Sequence, residues 1–317
     1  MNEETIPQRV RDMAFADLYL GHKQLGPRFS EVPGATLNPV PADPALSEDL
    51  HALFEQCLAF HSKAGSDEMR LTYDGATYRV TVLKAVECPV YVLRKVPRSI
   101  RSLQQLGLPS PYVQRLMAPD LTGLVIISGQ TSTGKSTTAA SIIAQRLTQY
   151  GGIAVTAEDP VEMPLEGQHG PGICFQTHAK VSEGGYEAAA SKILRSGAKI
   201  ILLGEILSGQ VAIEAIRAGI NGHLVLTTVH ASDPQTAISR LITLASEYYS
   251  PATASSTLAD GLAYVLHQRL VGDTRRLEVR GLDVAGSNSA QSIIRTGKLE
   301  QLHSEMELQL TRLLRSA

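Results

Sequence analysis

The chain has 317 residues and a mass of 34.0 kDa, long enough for a full hydrophobic core and, at roughly 150 residues per domain, for about two domains. With 43% hydrophobic and 19% charged residues the composition is that of a folded globular protein, which excludes a peptide, a single small module or a mainly disordered chain. Lys+Arg 29 against Asp+Glu 31 leave a formal charge of −2, so no global positive field draws the protein to a polyanion, and only local basic patches could do so.

The N-terminus, Met1-Asn2-Glu3-Glu4, is acidic and leads into no apolar run of signal length, and no stretch of about 18 apolar residues occurs anywhere. A chain neither exported by a visible signal nor spanning a membrane is expected. Cys57, Cys88 and Cys174 are isolated and lack C-x-x-C spacing, which fits a reducing cytosol and small buried hydrophobes rather than a disulfide frame or a zinc knuckle.

Residues 1–97 read as a small α/β domain. Ser47 to Phe60 has helical spacing through Leu50, Leu53, Phe54, Cys57 and Leu58, with Ser47 as its expected N-cap. Met69 to Tyr73 and Tyr78 to Val82 alternate around Asp74-Gly75, which predicts a hairpin, and Val90 to Leu93 predicts a third strand. Pro97, Pro109, Pro111 and Pro119 then punctuate residues 98–120, which read as an interdomain linker.

From Leu121 to the end, residues 121–317, short β-rich runs alternate with longer helical patterns, the signature of a parallel sheet with crossover helices. Strands are predicted at Leu124 to Ser128, Ile153 to Thr156, Ile200 to Leu203 and Leu224 to Val229, each near-continuously apolar or β-branched. Polar residues follow all four and should gather at the carboxyl edge of the sheet, where α/β folds bind ligands. After about residue 250 the pattern reads as helical, through Leu258, Leu262, Val265 and Leu266 and again from Leu302 to Leu314.

Gly129-Gln130-Thr131-Ser132-Thr133-Gly134-Lys135-Ser136 matches G-x-x-x-x-G-K-[ST] at every fixed position, after a predicted strand and before a helix containing Ile142, Ile143 and Leu147. Such a loop cradles phosphates with backbone N–H groups, its lysine neutralises the β and γ phosphates, and its serine hydroxyl ligates Mg²⁺. Residues Gly129 through Ser136 together with Thr137 are therefore expected to bind a nucleoside triphosphate, with Lys135 also catalytic. Hydrolysis further needs an acid near Mg²⁺ and a group that orients the attacking water. Glu205, just beyond Ile200 to Leu203, stands where an acid that holds Mg²⁺ or its water is expected, and Glu158-Asp159 follows the neighbouring strand.

His223 and His230 flank the strand Leu224 to Val229, and strict alternation over seven positions turns them to opposite faces, so they cannot share one metal. Sensing of the γ-phosphate or of a neighbouring subunit is the expected role of the pair. Leu207-Ser208-Gly209-Gln210 imitates part of an ABC-transporter signature, but it follows Glu205 where that signature should precede the acid, and it reads as accidental.

Together these motifs resemble the secretion ATPase superfamily, which includes type IV pilus retraction, type II secretion and type IV secretion or conjugation motors. The resemblance runs from about Arg94 to Arg295. Thr156-Ala157-Glu158-Asp159-Pro160-Val161-Glu162 is similar to the family's Asp box, which places Glu158 as general base, and Leu203-Gly204-Glu205 is similar to its Walker B ending. Gly222-His223-Leu224-Val225-Leu226-Thr227-Thr228-Val229-His230 resembles its His box, the most specific of these signals. Leu93-Arg94-Lys95-Val96-Pro97 resembles the segment joining the family's N-terminal domain to its motor core, which implies that Arg94 could reach a nucleotide across a subunit interface. Phe15 to Leu20 is a fainter echo of the family's Ala-Ser-Asp-Leu-His-Leu motif, and Ser292 to Leu302 echoes the C-terminal region of retraction ATPases.

The sequence also departs from the family. Leu207 and Ser208 replace a common Arg-Asp, Glu87 and Cys88 occupy the region of a second arginine, and no tetracysteine zinc module is present, which favours the shorter retraction, Dot/Icm or conjugative-transfer branch. The resemblance implies an α/β fold with a RecA-like P-loop core and a smaller PAS-like N-terminal domain. It implies an ATPase motor using ATP and Mg²⁺, with Ser136 and Glu205 at the metal, in a cytoplasmic homohexamer attached through protein partners to the inner-membrane parts of a secretion, conjugation or pilus machine. A nucleotide-switched assembly adaptor with little turnover is the alternative. Direct nucleic-acid binding is not expected, because the chain has no Trp, few Phe and no long basic run.

Overall fold

A computed structural model describes residues 9–65, 67–272 and 276–316. The acidic start at Met1 to Glu4 lies outside the described residues. The chain divides into two compact units, Met1–Arg98 and Ser99–Ala317.

The first unit is an antiparallel sheet of six strands in the order β3-β2-β1-β6-β5-β4. These are β1 (Asp17–Leu20), β2 (Arg28–Phe29), β3 (Val40–Pro41), β4 (Glu68–Tyr73), β5 (Ala76–Lys84) and β6 (Pro89–Val96), with the helix α1 (Ser47–Ala64) between β3 and β4. Along β5, Ala76, Tyr78, Val80 and Val82 alternate inward and share one core with Leu50, Leu53 and Cys57 of α1. The expected hairpin is present: Asp74 (φ 47°) and Gly75 (φ 69°) both take the positive φ of a two-residue turn whose twist matches the strands. Ser47 is not the cap of α1. Leu46 holds that place without a side-chain bond, and the preceding 3₁₀ turn is capped by Asp43, which accepts from the Ala45 N–H at 2.8 Å.

The second unit is built on an eight-stranded sheet in the order β14-β13-β7-β12-β11-β8-β10-β9. In chain order its elements are α2 (Ser110–Leu116), β7 (Gly123–Gly129), α3 (Lys135–Tyr150), β8 (Gly152–Glu158), β9 (Gly167–His169), β10 (Gly172–His178), α4 (Gly185–Ile193), β11 (Ile200–Glu205), α5 (Gly209–Ile220), β12 (Leu224–His230), α6 (Pro234–Ala245), α7 (Pro251–Gly261), β13 (Leu262–Val271), β14 (Arg276–Asp283), α8 (Asn288–Arg295) and α9 (Leu302–Ser316). The six strands from β13 through β10 pair in parallel, and β14 and β9 close the two edges antiparallel. Both faces of β7 are buried: Leu124 and Ile126 join the core under α5 and α7, while Val125 and Ile127 join the core under α3. Double coverage explains why the strand is apolar at consecutive positions instead of alternating.

Two expectations are corrected here. Leu262, Val265 and Leu266 belong to β13, not to a helix; a run buried on both sides satisfies helical spacing and strand spacing equally, and pairing with β7 decides between them. The helix α7 stops at Gly261, where a Cβ would stand 2.7 Å from the Ile216 carbonyl oxygen. Residues 98–120 are not a free linker. From Ser99 onward the segment is built into the second unit, with Leu103, Leu108, Tyr112, Val113 and Leu116 buried against α3. Its prolines punctuate a packed irregular chain that Arg146 of α3 fastens by donating to the carbonyl oxygens of Leu116 and Ala118, each at 2.9 Å.

Leu103→Ala should therefore destabilise the second unit by about 3 kcal/mol, the usual cost of emptying a buried leucine site, when followed by denaturant unfolding. A loss near zero would return the segment to linker status.

Candidate functional site

The carboxyl ends of β7, β8, β11 and β12 meet at one edge of the sheet. The chain leaves β7 at Gly129, loops, and enters α3 at Lys135. Gly129 is required by close approach, because a Cβ there would lie 2.3 Å from the backbone oxygen of Gln268 on β13 and 2.8 Å from Thr133 Oγ1. Ser132 (φ 62°) and Gly134 (φ 88°) take left-handed conformations in this loop, at the amino end of the 16-residue α3. Gln268 Nε2 donates to the Thr133 carbonyl oxygen at 2.6 Å, and Thr133 Oγ1 donates to the Gln130 carbonyl oxygen at 2.8 Å.

Lys135 is buried, and its ammonium donates to the Gln130 carbonyl oxygen at 2.7 Å. Burial lowers its pKa, opposed by the carboxylates of Glu205 and Glu162. His230, the last residue of β12, places Nδ1 3.3 Å from Lys135 Nζ and 3.4 Å from Thr131 Oγ1. An ammonium can only donate, so a hydrogen bond there makes Nδ1 the lone-pair nitrogen of the ring. Beneath the loop, Ser128 Oγ and His267 Nδ1 lie 3.0 Å apart, and burial lowers the His267 pKa while Asp233 acts the other way.

Glu158 closes β8. Its Oε1 accepts from Thr156 Oγ1 at 2.7 Å and from Gln176 Nε2 of β10 at 2.8 Å. Burial raises the Glu158 pKa, and these two hydrogen bonds act against the rise. Glu205 closes β11 after a bulge: Leu203 pairs with Thr227 and Glu205 with Thr228, which leaves Gly204 as the extra residue. Thr228 Oγ1 fixes that bulge by donating to the Gly204 carbonyl oxygen at 2.7 Å. Arg240 of α6 stands 3.9 Å from Glu205 Oε1 and donates to the His230 carbonyl oxygen at 3.2 Å. Ser136, Glu158, Glu162, Tyr186, Glu205 and His230 all line one cavity.

Among the motif residues, Lys135, Ser136, Glu158, Glu205 and His230 are brought together, with Gly129 to Gly134 forming the loop beside them. Thr137 turns its hydroxyl toward Met163 Sδ at 3.8 Å. His223 is not brought to this edge. It precedes β12 at the amino end, with Nδ1 3.2 Å from the Ala218 carbonyl oxygen, and a seven-residue strand at about 3.3 Å per residue separates it from His230. Arg94 lies within β6 of the first unit, where Nε and Nη2 donate to the two Asp17 carboxylate oxygens at 2.8 and 2.7 Å. Asp17 of the weak N-terminal echo is thus its cross-strand partner, and Arg94 is a strand residue rather than a junction one. Ser208, from the accidental signature, caps α5 by accepting from the Val211 N–H.

Gln176, Tyr186 and Gln268 lie in no motif of the sequence, while Thr156 and Thr228 stand inside motif runs that assign them no role. Thr156 stands two positions before Glu158 and so on the same face of the strand. Gln176, Tyr186 and Gln268 come from β10, α4 and β13, elements whose neighbours are set by the fold.

The sequence profile described as "Type II/IV secretion system protein" matches residues 64–299. This chain belongs to the type II/IV secretion system protein family. Within that family it is 30% identical over 224 residues to the type IV pilus ATPase PilU of Pseudomonas aeruginosa, across 68% of this chain and 56% of PilU. It is 37% identical over 166 residues to the type II secretion system protein HxcR of the same organism, across 52% of this chain and 32% of HxcR. The match therefore spans little more than half of PilU and about a third of HxcR. The crystal structure of the pilus retraction motor PilT with bound ADP superposes with a TM-score of 0.77 at 24% identity, covering 94% of this chain and 87% of that one. The ATPase DotB of Legionella pneumophila gives 0.68 at 21% identity, covering 92% and 82%. These likenesses establish the fold as a RecA-like core with a smaller N-terminal domain.

The family member's Gly204 has no room for a side chain, since a Cβ would stand 2.7 Å from Tyr186 Oη and 3.2 Å from the Ala157 carbonyl oxygen. Gly204→Ala should cost about 1–3 kcal/mol of stability by overpacking, and adding Tyr186→Phe should recover part of that loss, measured as a double-mutant cycle by denaturant unfolding. Strict additivity would show that the two residues do not press on one another.

Proposed function

We propose that this chain is an ATP hydrolase that powers a type II or IV secretion, conjugation or pilus machine. The observation that carries the reading is the meeting of two strand-end carboxylates, Glu158 and Glu205, with Ser136 in one cavity beside the Lys135 loop. A phosphate-binding loop alone supports binding; a buried carboxylate facing the same cavity supports hydrolysis.

The positive-φ loop and the start of α3 supply N–H donors for phosphate oxygens, and Lys135 supplies the fixed cation. Partial burial strengthens the attraction between that cation and phosphate, since less water screens it. Ser136 and Glu205 are hard oxygen donors of the kind magnesium takes together with substrate phosphates, and the ion would contribute neutralisation of phosphate charge. Among the described residues no group of three or more His, Cys, Asp or Glu side chains could hold a metal unaided, so the phosphates would complete its coordination. Glu158, held by Thr156 and Gln176, orients the attacking water and takes its proton.

Assembly into a homohexameric ring, with force passed to membrane-embedded partners, belongs to the same proposal. No helix among the described residues is long and apolar enough to cross a membrane, so attachment would run through other proteins.

Lys135→Ala should abolish measurable ATP hydrolysis with the fold retained by circular dichroism, and a variant with normal turnover would sink the site assignment. Glu158→Gln should keep ATP binding and slow single-turnover hydrolysis by roughly a hundredfold or more. The carboxylate works as a base only when ionised, and burial raises its pKa, so wild-type turnover should fall on acidification at a pH above the ordinary carboxylate range. The residual rate of Glu158→Gln should lack that acid limb. Turnover per chain should also rise with protein concentration as rings form; a monomer with concentration-independent turnover would overturn the ring, and a wild type that binds ATP without turnover would leave the adaptor reading in its place.

A further inference from the structure

Tyr186 sits in the first turn of α4 and reaches the cavity between the ends of β8 and β11. Its ring packs against the core under α4 and α5, so only the phenol end meets the polar edge. The oxygen accepts from the Asp159 N–H at 3.1 Å. Among the described residues no group accepts the phenol's own proton, although Glu158, Asp159, Glu162 and Glu205 line the same cavity. Gly204 keeps the approach open, because any Cβ there would press on the phenol oxygen.

We propose that Tyr186 is a further substrate-contacting residue of this site, donating its phenol O–H to a terminal phosphate oxygen of the bound nucleoside triphosphate. The inference rests on the ATP hydrolase reading and adds a group that no motif of the sequence indicates. Its chemistry follows from the surroundings. Four carboxylates line the cavity and offer only acceptors when ionised, whereas a terminal phosphate oxygen needs donors. Burial, helped by the charges of Asp159, Glu158 and Glu205, pushes the phenol up to about 12, so the group stays a neutral donor at any working pH. A neutral donor whose oxygen is already held by the Asp159 N–H needs little reorganisation when charge develops on the phosphate.

The experiment uses the full chain, with wild type, Lys135→Ala, Tyr186→Phe and a protein carrying a fluorinated tyrosine at 186, whose phenol ionises at lower pH. Tyr186→Phe should lower the single-turnover rate by about a hundredfold, as loss of one preorganised donor does, while affinity for a non-hydrolysable ATP analogue changes by less than about threefold. The fluorotyrosine protein should work at low pH and lose activity above its phenol's ionisation, relative to the wild-type pH profile. A tyrosine that served only as acceptor for the Asp159 N–H would accept better when ionised, so retained activity there overturns the proposal, as does a Tyr186→Phe protein as fast as wild type. If Tyr186→Phe fails to fold, the fluorotyrosine profile decides alone. A wild type without Lys135-dependent turnover overturns the underlying hydrolase reading instead, and Tyr186 with it.

Discussion

The contact on which the site depends is a backbone one. Gly129 passes the Gln268 carbonyl oxygen so closely that a single methyl group would come within 2.3 Å, and the Gln268 side chain then fastens the far side of the loop through Thr133. The loop is held at both ends by β13, a strand that enters the sheet more than a hundred residues later in the chain. Lys135 and Ser136 can therefore open α3 in a set position, at the positive end of the helix dipole.

Electrostatics at this edge run in opposite senses for opposite charges. Burial lowers the Lys135 pKa and raises that of Glu158, so desolvation disfavours both charged forms. Each is compensated by specific partners: carbonyl oxygen and carboxylates for the lysine, two hydrogen-bond donors for the glutamate. Charged groups kept partly dry cluster in this way at functional sites, which is the arrangement the proposed function draws on.

The first unit organises its charges differently. Arg94 and Asp17 meet across the neighbouring strands β6 and β1, with Arg94 half exposed, in a two-pronged geometry that suits guanidinium and carboxylate. Two segments that look unrelated along the chain, the Phe15 to Leu20 echo and the Leu93 to Pro97 segment, are thus one cross-strand feature.

Much of the fold and the placement of the strand-end motif residues are legible in the residues alone, because the signals are local. The G-x-x-x-x-G-K-S run lies between a strand and a helix, apolar strands deliver Glu158, Glu205 and His230 to the carboxyl edge of a parallel sheet, and Asp74-Gly75 turns. Where two local patterns coincide, the sequence misleads: buried β13 mimics a helix, and the Pro-rich 99–120 segment mimics a linker although its leucines are core. His223 shares a motif with His230, yet the strand between them carries it to the wrong end. Gln268, Gln176 and Tyr186 were beyond reach for a further reason. Their roles come from strand order and helix placement, which bring together residues 18, 27 and 135 positions apart, and such neighbours are chosen by burial of the two faces of the sheet, a property of the whole fold and of no segment within it.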